Sequence, residues 1–212
     1  MRKRIVFIIL FFLIATAIFT YPLVFKVNNS IPGSHSTDEP YAVLWNFWWI
    51  KYAFLHRLPD VFYSTLAAPF GVNSGNTTLY PAWKFIYKWL SIFTSPIISY
   101  NIQVILSFIF SGLTMFALCF YLTKKTAASL FAGVVYSFCP YHFARAWQHL
   151  GLAQIQWMPL YILSLLRLKD RITYRNVFLT ILSFYLVVSF EFHYAYFMYI
   201  VTILFALYCG LY

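Results

Sequence analysis

Residues 5–25 form an unbroken apolar stretch with no charged side chain, long enough as a helix to cross the roughly 30 Å hydrocarbon core of a bilayer. The stretch follows Arg2, Lys3 and Arg4. A cleaved signal peptide is the competing reading, but the apolar part is too long for one and "YPLVF" offers no small-residue cleavage site. Similar apolar segments recur at residues 101–122, 127–138, 152–166, 176–190 and 194–212. The expectation is therefore an all-α polytopic membrane protein of about six spans, the third and fourth of them short. Composition agrees, because only 9% of the residues are charged and 62% are hydrophobic. A soluble globule carries about 25% charged residues.

The net charge of +10 does not point to nucleic acid, because the basic residues gather in short segments beside the ends of the apolar stretches. Arg2, Lys3 and Arg4 precede the first span, Lys124 and Lys125 join the second and third, and Arg167, Lys169, Arg171 and Arg175 join the fourth and fifth. If the spans alternate, all three clusters share one side, which the positive-inside rule makes the cytoplasm. The expected location is the cell membrane, multi-pass, with the amino terminus cytoplasmic. Cys119, Cys139 and Cys209 are too few and scattered for a disulfide framework. The chain ends within an apolar segment, so the expectation is a single transmembrane domain, 1–212, cut from a longer polytopic protein.

On this topology residues 26–100 form a large extracytoplasmic loop, far longer than a usual helix connection. The turn signals "NNSIPGS", "RLPD" and "APFGVNSGN" divide it, leaving one helix that starts near Pro40 and ends before Pro59, and a second from Pro81. On the first, Tyr41, Leu44, Trp45, Trp48, Tyr52 and Leu55 recur at helical spacing, which suits a helix lying flat on the outer interface with Asn46 and Lys51 turned to water or protein. A plain core helix would show the same pattern.

Two of the five acidic residues in the chain, Asp38 and Glu39, stand side by side at the start of that helix. An acid there can simply cap the helix and meet its positive end. It can also act as a general base at the boundary of water and lipid, where partial burial tunes a carboxylate toward neutrality.

A second polar group of residues lies between the third and fourth spans, on the same side, in "FCPYHFARAWQHLGLAQIQWMPL". If the stretch is helical after Pro140, His142, Arg145 and His149 share a face by their spacing of three and four residues. Three such groups suit a phosphate, which arginine binds with forked hydrogen bonds. Headgroup contact or snorkelling of Arg145 is the simpler account. A zinc site would need a third ligand that only Glu191 or Asp38 could supply, so no cofactor is expected, with a divalent metal as the alternative. Glu191 and His193, in "SFEFHYAY", fall at the outer end of the fifth span. An acid at membrane depth needs a partner or an aqueous turn, and Arg145 is the expected partner.

An amino-terminal span followed by a large outer loop with an early acidic pair, "DEP", and flat interfacial helices resembles the GT-C superfamily of polytopic glycosyltransferases. That superfamily includes the protein O-mannosyltransferases and the lipid A aminoarabinose transferases. The resemblance covers the layout of the whole chain but only "DEP" and its setting in motif. It implies a membrane glycosyltransferase that moves a sugar from a polyprenyl-phosphate donor to an acceptor hydroxyl on the outer face. Asp38 would be the catalytic base and Glu39 its neighbour. His142, Arg145, His149, Glu191 and His193 are the expected substrate-binding residues, with Arg145 and a histidine stabilising the departing phosphate and inversion at the anomeric carbon. The partners expected are the lipid-linked donor and membrane lipid, with the acceptor open. The alternative is a non-catalytic transporter or a lipid-handling or assembly subunit, which would need polar residues at mid-membrane, where spans one, two and six have almost none.

Overall fold

A computed structural model of the chain describes residues 2–33, 39–59, 62–63, 69–73 and 81–211. Helices dominate. The order is α1 (Arg2–Phe19), a 3-10 turn (Leu23–Phe25), α2 (Glu39–His56), a two-residue antiparallel pair β1 (Phe62–Tyr63) and β2 (Val72–Asn73), then α3 (Pro81–Phe93). There follow α4 (Pro96–Thr123), α5 (Thr126–Ser137), α6 (Pro140–Gln148), α7 (Trp157–Asp170), α8 (Tyr174–Phe190) and α9 (Phe192–Leu211).

Local chemistry sets several of these limits. Ser95 caps α4 by accepting from the Ile98 amide at 3.2 Å, with Pro96 at the first helical position, where its missing N–H costs nothing. Lys124 ends that helix in the left-handed conformation, with φ of 58°. Thr173 caps α8 through the Asn176 amide at 3.2 Å. The expected first span over 5–25 stops early, because α1 ends at Phe19 and Pro22 cannot continue its hydrogen-bond ladder.

Among the described residues two helices, α4 with 28 residues and α9 with 20, are long and apolar enough to cross a membrane. At 1.5 Å per residue they extend about 42 Å and 30 Å. α1 has 18 residues and carries the three basic residues at its start, while α5, α7 and α8 have 12, 14 and 17. Among the described residues only α4 and α9 pass this joint test of length and composition, α1 carrying three basic residues and the others being shorter, so six spans do not follow from it. The apolar faces of α1 and α9 are largely uncovered, with Phe7, Ile14 and Ile18 exposed on one and Phe197, Leu204 and Leu207 on the other. Apolar surface of that extent suits lipid rather than water.

Helix α4 is central and packs against α1, α5 and α7. Phe12, wholly buried, fills the notch that Gly112 on α4 and Gly133 on α5 leave open. A Cβ at Gly112 would come within 2.3 Å of the Phe12 ring, and one at Gly133 within 2.5 Å of the ring and 2.7 Å of the Gly112 carbonyl oxygen. Small residues here let the three backbones approach, as in membrane bundles generally.

The two ends of the helix bundle differ in chemistry. At one, Arg4 donates to Thr126, Tyr121 donates to Asp170, and Arg167 and Lys124 lie over the Tyr121 ring at 5.7 and 4.5 Å, so members of all three basic clusters gather together. At the other, a core of Phe47, Tyr87, Tyr100, Phe108, Leu150 and Phe190 ties α2 and α3 to α4, α8 and the segment after α6. Phe47 stacks on Tyr87 with ring centroids 4.1 Å apart. Asn46, Trp49, Ile50 and Ala53 of α2 are buried, while Tyr41, Trp48 and Leu55 of the expected outward stripe are exposed.

Candidate functional site

The described polar groups of interest converge on the turn after α6. His149 is the residue at which α6 stops: its backbone is extended, and its amide still closes the last turn on the Arg145 carbonyl at 2.7 Å. Its Nδ1 is hydrogen-bonded to the Glu39 carboxylate at the first residue of α2. Both side chains remain partly open to solvent. This joins positions far apart in sequence.

The described residues after α1 reach the same place. Asn101, buried at the start of α4, donates to the Val27 and Ser30 carbonyls at 2.8 and 2.6 Å, which fixes the turn after α1. Gly33 then passes so close to α6 that a Cβ there would meet the Trp147 carbonyl oxygen at 2.7 Å, and its φ of +140° is one that other residues rarely adopt. Asp38 lies outside the described residues. Its described flanks, Gly33 and Glu39, both abut the end of α6.

Glu191, the residue between α8 and α9, is 4% exposed and packs on the other side of this turn. Its Oε2 occupies the position, 2.5 Å away, that a side chain at Gly151 would need. Its Oε1 accepts from His193 Nδ1 at 2.6 Å and from the His193 amide at 3.3 Å. The expected Glu191–Arg145 pair is thus replaced by Glu191–His193. Arg145 instead lies over the Tyr141 ring at 5.2 Å, one helical turn back on its own helix. Tyr141 in turn meets the Tyr194 hydroxyl at 2.9 Å, and Tyr194 donates to the Leu152 carbonyl.

His142 does not share the expected face with Arg145 and His149. It is 0% exposed and turned into the bundle beside Ala146. Its Nδ1 donates to the Ser137 carbonyl at 2.7 Å, its Nε2 faces the Ser107 hydroxyl at 3.1 Å, and its ring stacks on Phe108 at 4.0 Å. Burial pushes its pKa down to about 4, against the opposing pull of backbone hydrogen bonds, so it is neutral at physiological pH. The split has two causes. Helix α6 ends at Gln148, so His149 leaves the helical phase that would align it with residue 142. Arg145, still within α6, turns over the Tyr141 ring, and His142 is held in the bundle by Ser107, Phe108 and Ser137.

His149 at the end of α6 thus has Glu39 beside it and Glu191 with His193 against Gly151 two residues on, while Arg145 stands over Tyr141 one turn back on α6. Sequence reasoning did not single out Tyr141, Gly151 or Tyr194. The four-residue step from Tyr141 to Arg145 was a readable signal, whereas the partnership of Gly151 with Glu191 has none in sequence. Among the described residues no three His, Cys, Asp or Glu side chains gather as a metal site would require. No family model, curated protein or solved structure matches this chain.

Proposed function

We propose that this chain is a polytopic membrane glycosyltransferase domain with a cytoplasmic amino terminus, transferring a sugar from a polyprenyl-phosphate donor to an acceptor hydroxyl on the outer face. Asp38 takes the proton as the acceptor oxygen attacks the anomeric carbon. The bond from that carbon to the phosphate oxygen breaks, the phosphate leaves as an anion, and the configuration inverts. Arg145 and His149 stabilise the leaving phosphate by charge and hydrogen bonding held in place beforehand. Glu39 positions His149, and His142, being neutral and buried, holds α6 on α4 rather than touching substrate.

The observation that carries this reading is the Glu39–His149 contact, which brings the chain neighbour of Asp38 to the end of α6, the helix that bears Arg145. The gathering of the basic clusters at the opposite end of the bundle supports the orientation, and the exposed aromatic face of α2 suits an outer interfacial position.

The test is transfer of radiolabelled sugar from polyprenyl-phosphate donors in membranes containing the chain. Asp38→Asn is expected to abolish transfer with normal accumulation of protein, and an unchanged rate removes the base assignment. Failure of the native chain with every donor favours a non-catalytic, lipid-handling role.

A further inference from the structure

At the end of the bundle away from that turn, the ends of α7 and α8 enclose a cleft of about 450 Å³. Its lining includes Arg167, Arg171 and Arg175 together with Tyr121, Asp170 and Asn176. Asp170 accepts a hydrogen bond from Tyr121, and Lys124 stands over the same tyrosine ring at 4.5 Å, so positive charge exceeds negative around the opening. Asn176 spends both amide protons on the Arg167 and Arg171 carbonyls, at 3.0 and 2.8 Å, which fixes the turn carrying the arginines.

The cleft adjoins a second cavity. This cavity, of about 150 Å³, runs between α7 and α8, and it shares Arg167, Asn176 and Leu179 with the first. Leu160, Leu163, Leu182 and Leu186 line it. A basic opening thus continues into a leucine-lined groove along two apolar helices. A free anion would use only the first part. A neutral lipid would use only the second.

We propose that this composite site binds an anionic glycerophospholipid, its phosphodiester at Arg167, Arg171 and Arg175 and an acyl chain in the groove between α7 and α8. Arginine suits the phosphate because its planar fork gives two parallel hydrogen bonds, and basic pockets between helices on the cytoplasmic side of a membrane attract anionic headgroups. The volume of the cleft lies within the usual range for a small-molecule site. The site lies about 25 Å from the α6 turn, the length of α8 at 1.5 Å per residue, so it does not depend on the transfer chemistry.

Delipidated full-length protein in neutral detergent is titrated with short-chain phosphatidylglycerol, with phosphatidylcholine of the same chain length, and with inorganic phosphate, reading the thermal unfolding midpoint. Saturable stabilisation by phosphatidylglycerol alone is expected, weakened at least tenfold by the double variant R171Q/R175Q and retained by R171K/R175K. Arg175→Gln alone, on the exposed first turn of α8, serves where the double variant does not fold. Equal stabilisation by phosphatidylcholine, equal stabilisation by phosphate, or an undiminished response in the glutamine variants overturns the assignment.

Discussion

Glu39 and His149 touch across 110 positions of the sequence, and they do so at two helix ends, the start of α2 and the stop of α6. Each end presents backbone groups without helical partners, so a side-chain contact there ties the two helices at points that regular structure leaves open. As a partly exposed pair it adds little stability by itself, below about 1 kcal/mol. Its consequence is positional.

Glu39→Gln and His149→Gln are each expected to lower transfer at least tenfold while shifting stability by less than about 1 kcal/mol. The double variant should lose little more than either single one, because both remove the same contact. Transfer rates and unfolding midpoints of the four proteins form the cycle, and strictly additive losses would separate the two residues.

His142 predicts a pH dependence of stability. Its folded pKa of about 4 lies below the ordinary 6.5, so the unfolded chain takes up a proton more readily. Stability from this group is therefore full above about pH 6.5 and falls as the pH drops toward 4, by roughly 3 kcal/mol in all. His142→Gln should flatten that slope while lowering stability at pH 8, as measured by thermal unfolding in detergent across the range.

A methyl group at Gly151 would collide with the Glu191 carboxylate. Gly151→Ala is expected to cost about 1–3 kcal/mol, as overpacking does. Adding Glu191→Ala should recover part of the loss, so that the double variant is more stable than the sum of its parts predicts.

The Phe12 notch gives a sharper contrast. At Gly112 the three atoms nearest an added Cβ all belong to the Phe12 ring, whereas at Gly133 the Gly112 backbone oxygen is among them. Phe12→Ala should therefore rescue Gly112→Ala and leave Gly133→Ala impaired, in yield of folded protein after detergent extraction.

Much of the helical layout was readable because its signals are local. Pro40 and Pro81 mark helix starts by chemistry that does not depend on neighbours, and the later apolar segments correspond to α4, α5, α7, α8 and α9 in order. Continuing the first span through Pro22 let hydropathy override backbone geometry. Placing His142 with Arg145 and His149 assumed an unbroken helical phase and could not foresee that Ser107, Phe108 and Ser137 would cover that ring. Pairing Glu191 with Arg145 rested on charge alone, and the short reach to His193 within the same turn won. Periodicity says which residues share a face, but only packing says what covers it.

The aromatic ring that Gly112 and Gly133 admit also acts as a bolt. With Phe12 seated between two backbones, α1 cannot slide by a turn or rotate without colliding with α4 or α5. The turn that Asn101 grips begins only a few residues beyond the end of α1. The height of that turn above the bundle is tied to a contact deep within the helices, where a surface mutation cannot adjust it.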